Sequence, residues 1–501
     1  MKKISLLLLL VLIFTSCEKD PPIPTPPSNT KTFVTGPITQ NTIWYKDSTY
    51  ILSGFVFVKN GATLTIQPGT TIFGDKASKG TLIITRGSKI IAEGTPTQPI
   101  VFTSAQSDNL KTYGDWGGLV ILGNATINVP GGTALIEGGL LGQDATYGGT
   151  NDNDNSGILK YVRIEYGGIA YQPNNEINGL TFGGVGRETV VENVQVSYAG
   201  DDAFEWFGGT VNCKNLIAYK CWDDDFDTDF GYRGMVQFGL IIRDPAIADQ
   251  SQSNGFESDN DGTGSSNLPQ TAPVFSNITI IGPKQSGTPA GLYRRAMHLR
   301  RNTCTSIYNS IFAGYPTGLH IDGASAQSNA TNNLLQLERI MLVNMTNNFE
   351  QTNGANTWAG MLDYFNSPGK GNVIANTLEL DLFYLPLANS PILNSASFTN
   401  PKLTNSFFTP VPYIGAFGTT NWTSTWAGMC MTANKYTSIR AALCWDIELA
   451  KLARAHNNAN VLCLPARFIA VEDAVDMVNV FLNTLFEGGR HESRINQIPI
   501  K

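Results

Sequence analysis

The sequence predicts a mainly β chain: a right-handed parallel β-helix, or solenoid, with a short α/β fragment at its C-terminus. Three observations carry that prediction. Short β-branched runs are evenly separated by turn residues, which suits a solenoid better than a sandwich of longer hairpins. The 50 glycines and 25 prolines in 501 residues, with only 15% charged side chains, describe many turns and few surface helices. A segment pattern also recurs through the middle of the chain at close to one solenoid coil.

The runs at 50–58, 62–66, 70–73, 81–84 and 89–92 are punctuated by Lys59-Asn60-Gly61, Gln67-Pro68-Gly69 and Arg86-Gly87-Ser88. Similar runs follow at 118–122, 161–165, 190–197, 216–219, 236–242, 275–281 and 307–312. Stacked coils of this kind bury one continuous apolar column. The stretches WGGLVILGNATIN, DDAFEWFGG and YIGAFGTTNW resemble a family of Bacteroidetes surface proteins of this build. That resemblance covers most of residues 30–426 and implies no settled activity. The expected domains are a signal peptide at 1–16, a proline-rich linker at 17–30, the β-helix at 31–426 and the α/β fragment at 427–501.

The recurring segments are Gly179-Leu180-Thr181, Ala203-Phe204-Glu205, Asp225-Phe226-Asp227, Gly255-Phe256-Glu257, Ala296-Met297-His298 and Gly318-Leu319-His320. Their apolar members are spaced 24, 22, 30, 41 and 22 residues apart, about one coil with loops inserted twice. Alternation along a strand then places Leu180, Phe204, Phe226, Phe256, Met297 and Leu319 inside. Thr181, Glu205, Asp227, Glu257, His298 and His320 form an outward column. Carboxylates stacked about 4.8 Å apart repel one another, so the column reads as a groove for a glycan or an ion. One or two coils separate carboxylates by roughly the distances that retaining and inverting glycosidases use, so a polysaccharide hydrolase or lyase is the alternative to a protein that binds a glycan or another surface protein. Trp206, Trp222 and Tyr232 flank the column as candidates for stacking on sugar rings, and Asp201, Asp202, Asp223, Asp224 and Asp225 enlarge its acidity. The competing reading is a solvated acidic face that keeps the solenoid soluble.

Two weaker motifs adjoin it. Asp152 and Asp154 sit at the first and third positions of a calcium-loop pattern with Gly157 at the sixth, but Arg163 occupies the twelfth, where glutamate is expected. A polar turn is the alternative to Ca2+ there. Arg294, Arg295, Arg300 and Arg301 flank His298 and read as a basic rim on the next coil, or as the kind of arginine that β-helix lyases place near calcium.

The N-terminus sets the address. Met1, Lys2 and Lys3 precede an apolar run at 6–14 that is too short to span a bilayer as a helix and fits a cleaved signal segment. Thr15 and Ser16 before Cys17 resemble a bacterial lipoprotein signal, which implies acylation of Cys17 and an outer-membrane anchor. Glu18, Lys19 and Asp20 resemble the acidic export tag of Bacteroidetes surface lipoproteins, which implies exposure at the cell surface. Pro21, Pro22, Pro24, Pro26 and Pro27 then form a stiff spacer.

Charge and cysteines divide the chain. Residues 428–501 hold 8 Lys and Arg against 7 Asp and Glu, leaving 26 against 34 before them. An acidic body argues against a nucleic-acid partner. Cys213, Cys221 and Cys304 lie in the body, enough for one disulfide, whereas Cys430, Cys444 and Cys463 read as reduced thiols of a cytosolic core.

In the tail, residues 446–455 and 472–484 read as amphipathic helices, the second with Val475, Val478, Phe481 and Leu482 on one face, and 460–464 as a short strand. The stretches Thr432-Ala433-Asn434-Lys435, Ile439 to Trp445, His456 to Leu462 and Glu487-Gly488-Gly489-Arg490-His491 closely resemble the C-terminal half of B-type ribose-5-phosphate isomerases. The resemblance implies isomerisation of ribose 5-phosphate and ribulose 5-phosphate without a cofactor. It assigns ring opening to His456, sugar contact to Asn457 and phosphate binding to Arg467, Arg490 and Arg494. The family's proton-abstracting cysteine, however, falls at Thr423, and of its glycine-rich loop only Gly428 survives. About half of that domain is absent, so activity would require a complementary chain. With no linker at 423–430, the junction reads as a rearranged frame more readily than as a fusion of two complete domains.

Overall fold

The computed structural model describes residues 31–172, 175–350, 358–381, 384–427, 440–464, 470–489 and 491–492. Cys17, the signal and spacer segments, Arg467, Arg490 and Arg494 lie outside them. Among the described residues, the body is a parallel β-helix whose strands form one sheet of 15 and one of 10. No described helix is long and apolar enough to cross a membrane.

Each coil exists because an apolar residue alternates with an outward one and a turn residue ends the run. In the ten-stranded sheet, Leu180, Phe204, Phe226, Phe256, Met297 and Leu319 stack in register and are fully buried. Their rings interlock edge to face, with Phe204–Phe226 centroids 5.6 Å apart and Phe226–Phe256 centroids 5.3 Å apart.

The longer sheet turns a corner within its strands. Asn193, Asn215, Phe238, Asn277 and Asn309, at the middle of Val190–Ser197, Asn212–Tyr219, Met235–Ile242, Val274–Ile281 and Ser306–Ala313, all have φ between 50° and 64°. A left-handed residue cannot continue an extended strand, and asparagine tolerates that region best among residues with a side chain. The corner also anchors a strap: Asn277 donates to the Tyr413 carbonyl at 2.9 Å and Asn309 to the Ser397 carbonyl at 3.0 Å. Farther along, Phe417 and Trp426 bury themselves on Ile217, Tyr219, Leu240 and Ile281.

Two expectations for the body change. The run at 50–58 is two strands, Thr49–Leu52 and Phe55–Val58, because the chain turns at Gly54 with φ 67°. Cys213, Cys221 and Cys304 are free and buried, so no disulfide forms among them. They behave as small apolar core residues.

The tail pairs Ala441–Leu443 in parallel with Val461–Cys463 and carries helices Ile447–Asn457 and Val471–Asn483. Asp446 caps the first helix by accepting from the Leu449 amide at 2.8 Å. Of the four residues expected on the buried face of the second helix, only Phe481 is buried, together with Met477; Val475 and Leu482 are 53% and 72% exposed. The described two-stranded sheet is too narrow to cover both flanks of that helix.

Replacing Phe226 with alanine removes the centre of the ring ladder and is expected to cost about 3–5 kcal/mol. Leu268→Ala, at a side chain 77% exposed, is expected to stay within about 0.5 kcal/mol. Denaturant unfolding of both variants checks the contrast; equal losses would contradict this placement of the core.

Candidate functional site

Beside the inner ladder, the ten-stranded sheet pairs Thr181 with Glu205, Glu205 with Asp227, Asp227 with Glu257, Glu257 with His298 and His298 with His320. Upstream the same column continues through Val120 to Ile83. These side chains point away from the solenoid core, yet the column is no solvated face. Insertions carrying Ile127, Ile136, Leu140, Tyr147 and Ile177 pack over Ile83 and Val120. Glu205 is left 8% exposed and His320 fully buried. Asp227 and Glu257 are partly exposed.

The column has two electrostatic halves. In the first, ligand-capable oxygens of Asp202, Glu205 and Asp227 lie within 4.8 Å of one another. Burial, then the neighbouring charges of Glu137 and Asp227, pushes the Glu205 carboxyl well above the usual range. Burial and the charge of Glu257 do the same to Asp227, and burial and Asp201 to Asp202. Asn178 donates its side-chain amide to Glu205. A carboxyl raised in this way keeps its proton to higher pH than a free one, and in that form it donates as well as accepts a hydrogen bond.

In the second half the acids are partnered. Burial alone would raise Glu257, but the hydrogen bond with His298 and the Arg300 charge outweigh it and hold the carboxyl below its ordinary value. Asp259 receives Arg300 at 2.8 Å and Arg301 at 2.7 Å, and Glu350 receives Arg295 at 3.2 Å. Three of the four arginines around His298 are therefore committed to carboxylates, while Arg294 donates to Gln252.

Several site expectations are corrected. Trp206 is fully buried, stacked 5.4 Å from Tyr232 and 5.9 Å from Phe182. Being two residues from inward Phe204, it shares that side of the strand and cannot meet a sugar. Tyr232 is also buried, donating its hydroxyl to the Val211 carbonyl at 2.8 Å; Trp222 alone of the three aromatics is exposed. The Asp152–Asp154 turn is not arranged for calcium: Asp152 pairs with Arg233 at 3.2 Å and Arg187 at 3.6 Å, while Asp154 accepts from Asn124 at 3.1 Å and Ser156 at 3.2 Å. Asp225 is fully buried against Arg243 at 2.9 Å, and Asp224 accepts from Asn254, so neither belongs to an open acidic patch. Sequence reasoning missed Asp322, which reaches His298 Nε2 at 3.1 Å. Its position two residues beyond outward His320 was the available signal.

In the tail, His456 stacks on His491 with ring centroids 4.1 Å apart, and each Nε2 lies 3.6 Å from Glu487. Asn457 is exposed at the end of the same helix. Thr423 is instead part of the body's strap, buried and donating its hydroxyl to Asn421 at 2.6 Å, one turn before Trp426. An alcohol committed to a turn cannot replace a thiolate as base.

Comparison with known proteins follows this division. A family model described as a pectate-lyase-like beta helix domain matches residues 36–379. The chain belongs to that β-helix family. A second model, described as ribose/galactose isomerase, matches residues 422–498, so both families meet in one chain. The tail is 50% identical over 74 residues to a probable ribose-5-phosphate isomerase B of Mycoplasma pneumoniae, covering 15% of this chain and 49% of that protein. It is 39% identical over 74 residues to ribose-5-phosphate isomerase B of Escherichia coli, covering 15% and 50%. A solved ribose-5-phosphate isomerase B from Mycoplasma genitalium with bound ribulose-5-phosphate is 49% identical, covering 14% of this chain and 47% of that one, at a TM-score of 0.14. The chain thus spans about half the length of the curated relatives it matches.

The raised carboxyls predict an inverted pH response. A group whose pKa is higher in the folded than in the unfolded state stabilises the fold below its unfolded value, about 4, and loses that contribution as pH rises through its folded value. Asp223, raised by burial to about 7, and Glu137, raised by burial and Glu176 to about 8, set the window. Metal-free protein should therefore unfold at a lower temperature at pH 8.5 than at pH 5.5, where the depressed carboxyls such as Asp261 at about 2 remain ionised. Glu137→Gln should flatten that difference in calorimetry; an unchanged slope would show that the cluster is not buried as described.

Proposed function

We propose that the chain is a lipid-anchored outer-membrane protein, held at the cell surface by an acylated Cys17, whose β-helix binds a glycan along the first half of the column. The observation that carries this reading is the convergence of Asp202, Glu205 and Asp227, whose carboxyl oxygens lie within 4.8 Å of one another. Protonated carboxyls present both donors and acceptors, the complement of sugar hydroxyls. Trp222, on the turn that precedes the strand of Asp227, is the exposed aromatic of the three flanking the column in sequence. An uncharged or cationic sugar suits the acidity better than a uronate. The same oxygens suit Ca2+ as hard ligands, in which case the glycan would bind through the ion. Carboxyls this close also fall near the separation of retaining glycosidases, so hydrolysis is one outcome of the test.

A second reading rests on the 50% identity of the tail to a probable isomerase. His456 and Asn457 would act at the sugar and Arg467, Arg490 and Arg494 at the phosphate, with a complementary chain supplying the missing half and its base. The unsuitability of Thr423 makes this the weaker reading.

Binding of the full chain to an array of bacterial and plant glycans is the decisive experiment. Glu205→Ala with Asp227→Ala should weaken the best ligand by at least about tenfold, as expected when paired hydrogen bonds to a buried site are lost. Release of reducing ends would identify a hydrolase, and binding indifferent to both substitutions would refute the groove.

A further inference from the structure

We propose that His298, His320 and Asp322 form a binding site for a divalent transition-metal ion of the zinc class. The site lies in the second half of the column and does not depend on glycan binding in the first.

The fold builds it from consecutive coils. His298 on Arg295–Leu299 pairs in register with His320 on Thr317–Ile321, and the imidazoles lie parallel, 5.2 Å apart with 5° between planes. Asp322, two residues past His320, returns to the same side of the strand. Its carboxylate is 3.1 Å from His298 Nε2 and 3.9 Å from His320 Nε2, and one ligand atom from each of the three residues lies within 4.8 Å of the others. Zinc bonds of about 2.0–2.2 Å hold neighbouring ligand atoms about 3.3–3.5 Å apart, so small side-chain rotations complete the set.

Two further observations point to a ligand. His320 is fully buried, yet neither ring nitrogen has a hydrogen-bond partner among the described residues. Buried polar groups are rarely left so, and a metal bond satisfies an imidazole lone pair. Secondly, His298 Nδ1 faces Glu257 at 3.3 Å, and Glu257 is itself fixed by Arg300. A carboxylate behind a histidine orients the ring and raises its basicity as a ligand. The nearby charge of Arg295 is countered by Glu350 at 3.2 Å.

Donor chemistry sets the class of ion. Two imidazoles and one carboxylate suit zinc or iron(II), whereas Ca2+ and Mg2+ take oxygen ligands. Asp322 also lines a surface cleft of about 390 Å³ with Thr263, Arg300, Arg301 and Ser325, which provides entry and room for a further ligand.

Calorimetric titration of the chelator-treated full chain with Zn2+ tests the assignment. One equivalent should bind, and X-ray absorption should report nitrogen and oxygen neighbours at about 2.0–2.2 Å. Asp322→Asn, at a partly exposed side chain that keeps its shape, should weaken Zn2+ by on the order of 100-fold, and Glu257→Gln by about tenfold, the range expected for first ligands and their supports. His456→Ala should leave the affinity unchanged. No saturable binding to folded protein, affinity indifferent to Asp322→Asn, or loss of the bound ion in His456→Ala would each overturn the proposal, the last by moving the site to the tail.

Discussion

Parallel strands stacked in register about 4.8 Å apart place each side chain on its counterpart from the coil before, and the chemistry of this molecule follows from that constraint. Inside the solenoid it is favourable: phenyl rings at 204, 226 and 256 form a continuous ladder. Outside, it forces Glu205 on Asp227 and Asp227 on Glu257. Two buried like charges at that spacing cannot both ionise cheaply. The chain resolves the conflict in two ways along one column: carboxyls whose ionisation burial disfavours in the first half, and carboxylates paired with arginine and histidine in the second.

The column and its register were legible because alternation leaves a signature of two residues and stacking leaves one of a coil's length. What covers the column was not. The insertions that bring Ile136, Tyr147 and Ile177 over Ile83 and Val120 carry no periodicity, so burial of Glu205 had no sequence signal. Trp206 was misplaced by treating aromaticity as accessibility, although the same alternation that set Glu205 outward sets Trp206 inward. Asp152 fits a calcium pattern whose geometry depends on which groups reach it, and Arg187 arrives from the next coil and Arg233 from a later one. The corner asparagines, by contrast, carry a sequence signal: Asn193, Asn215, Asn277 and Asn309 hold one position in four of five successive strands, with Phe238 in the other.

The tail obeys a different logic. Its strands and helices were readable from local pattern, but its solvent exposure reflects how little sheet is present to pack on. Val475 and Leu482 are apolar yet more than half exposed. Thr423 and Trp426 illustrate the junction: the stretch matching the isomerase family begins at 422, whereas these side chains fold with the β-helix strap. The first residues of that match are thus already committed to covering the solenoid.

Hydrogen–deuterium exchange of the intact chain tests most directly whether the register-locked stack is one cooperative body and the tail is not. Strand amides between residues 180 and 321 should be protected together and exchange only through a shared opening, while the helices and strands of residues 440–489 exchange far sooner. Protection of the tail equal to that of the solenoid, or independent exchange of neighbouring coils, would contradict this account.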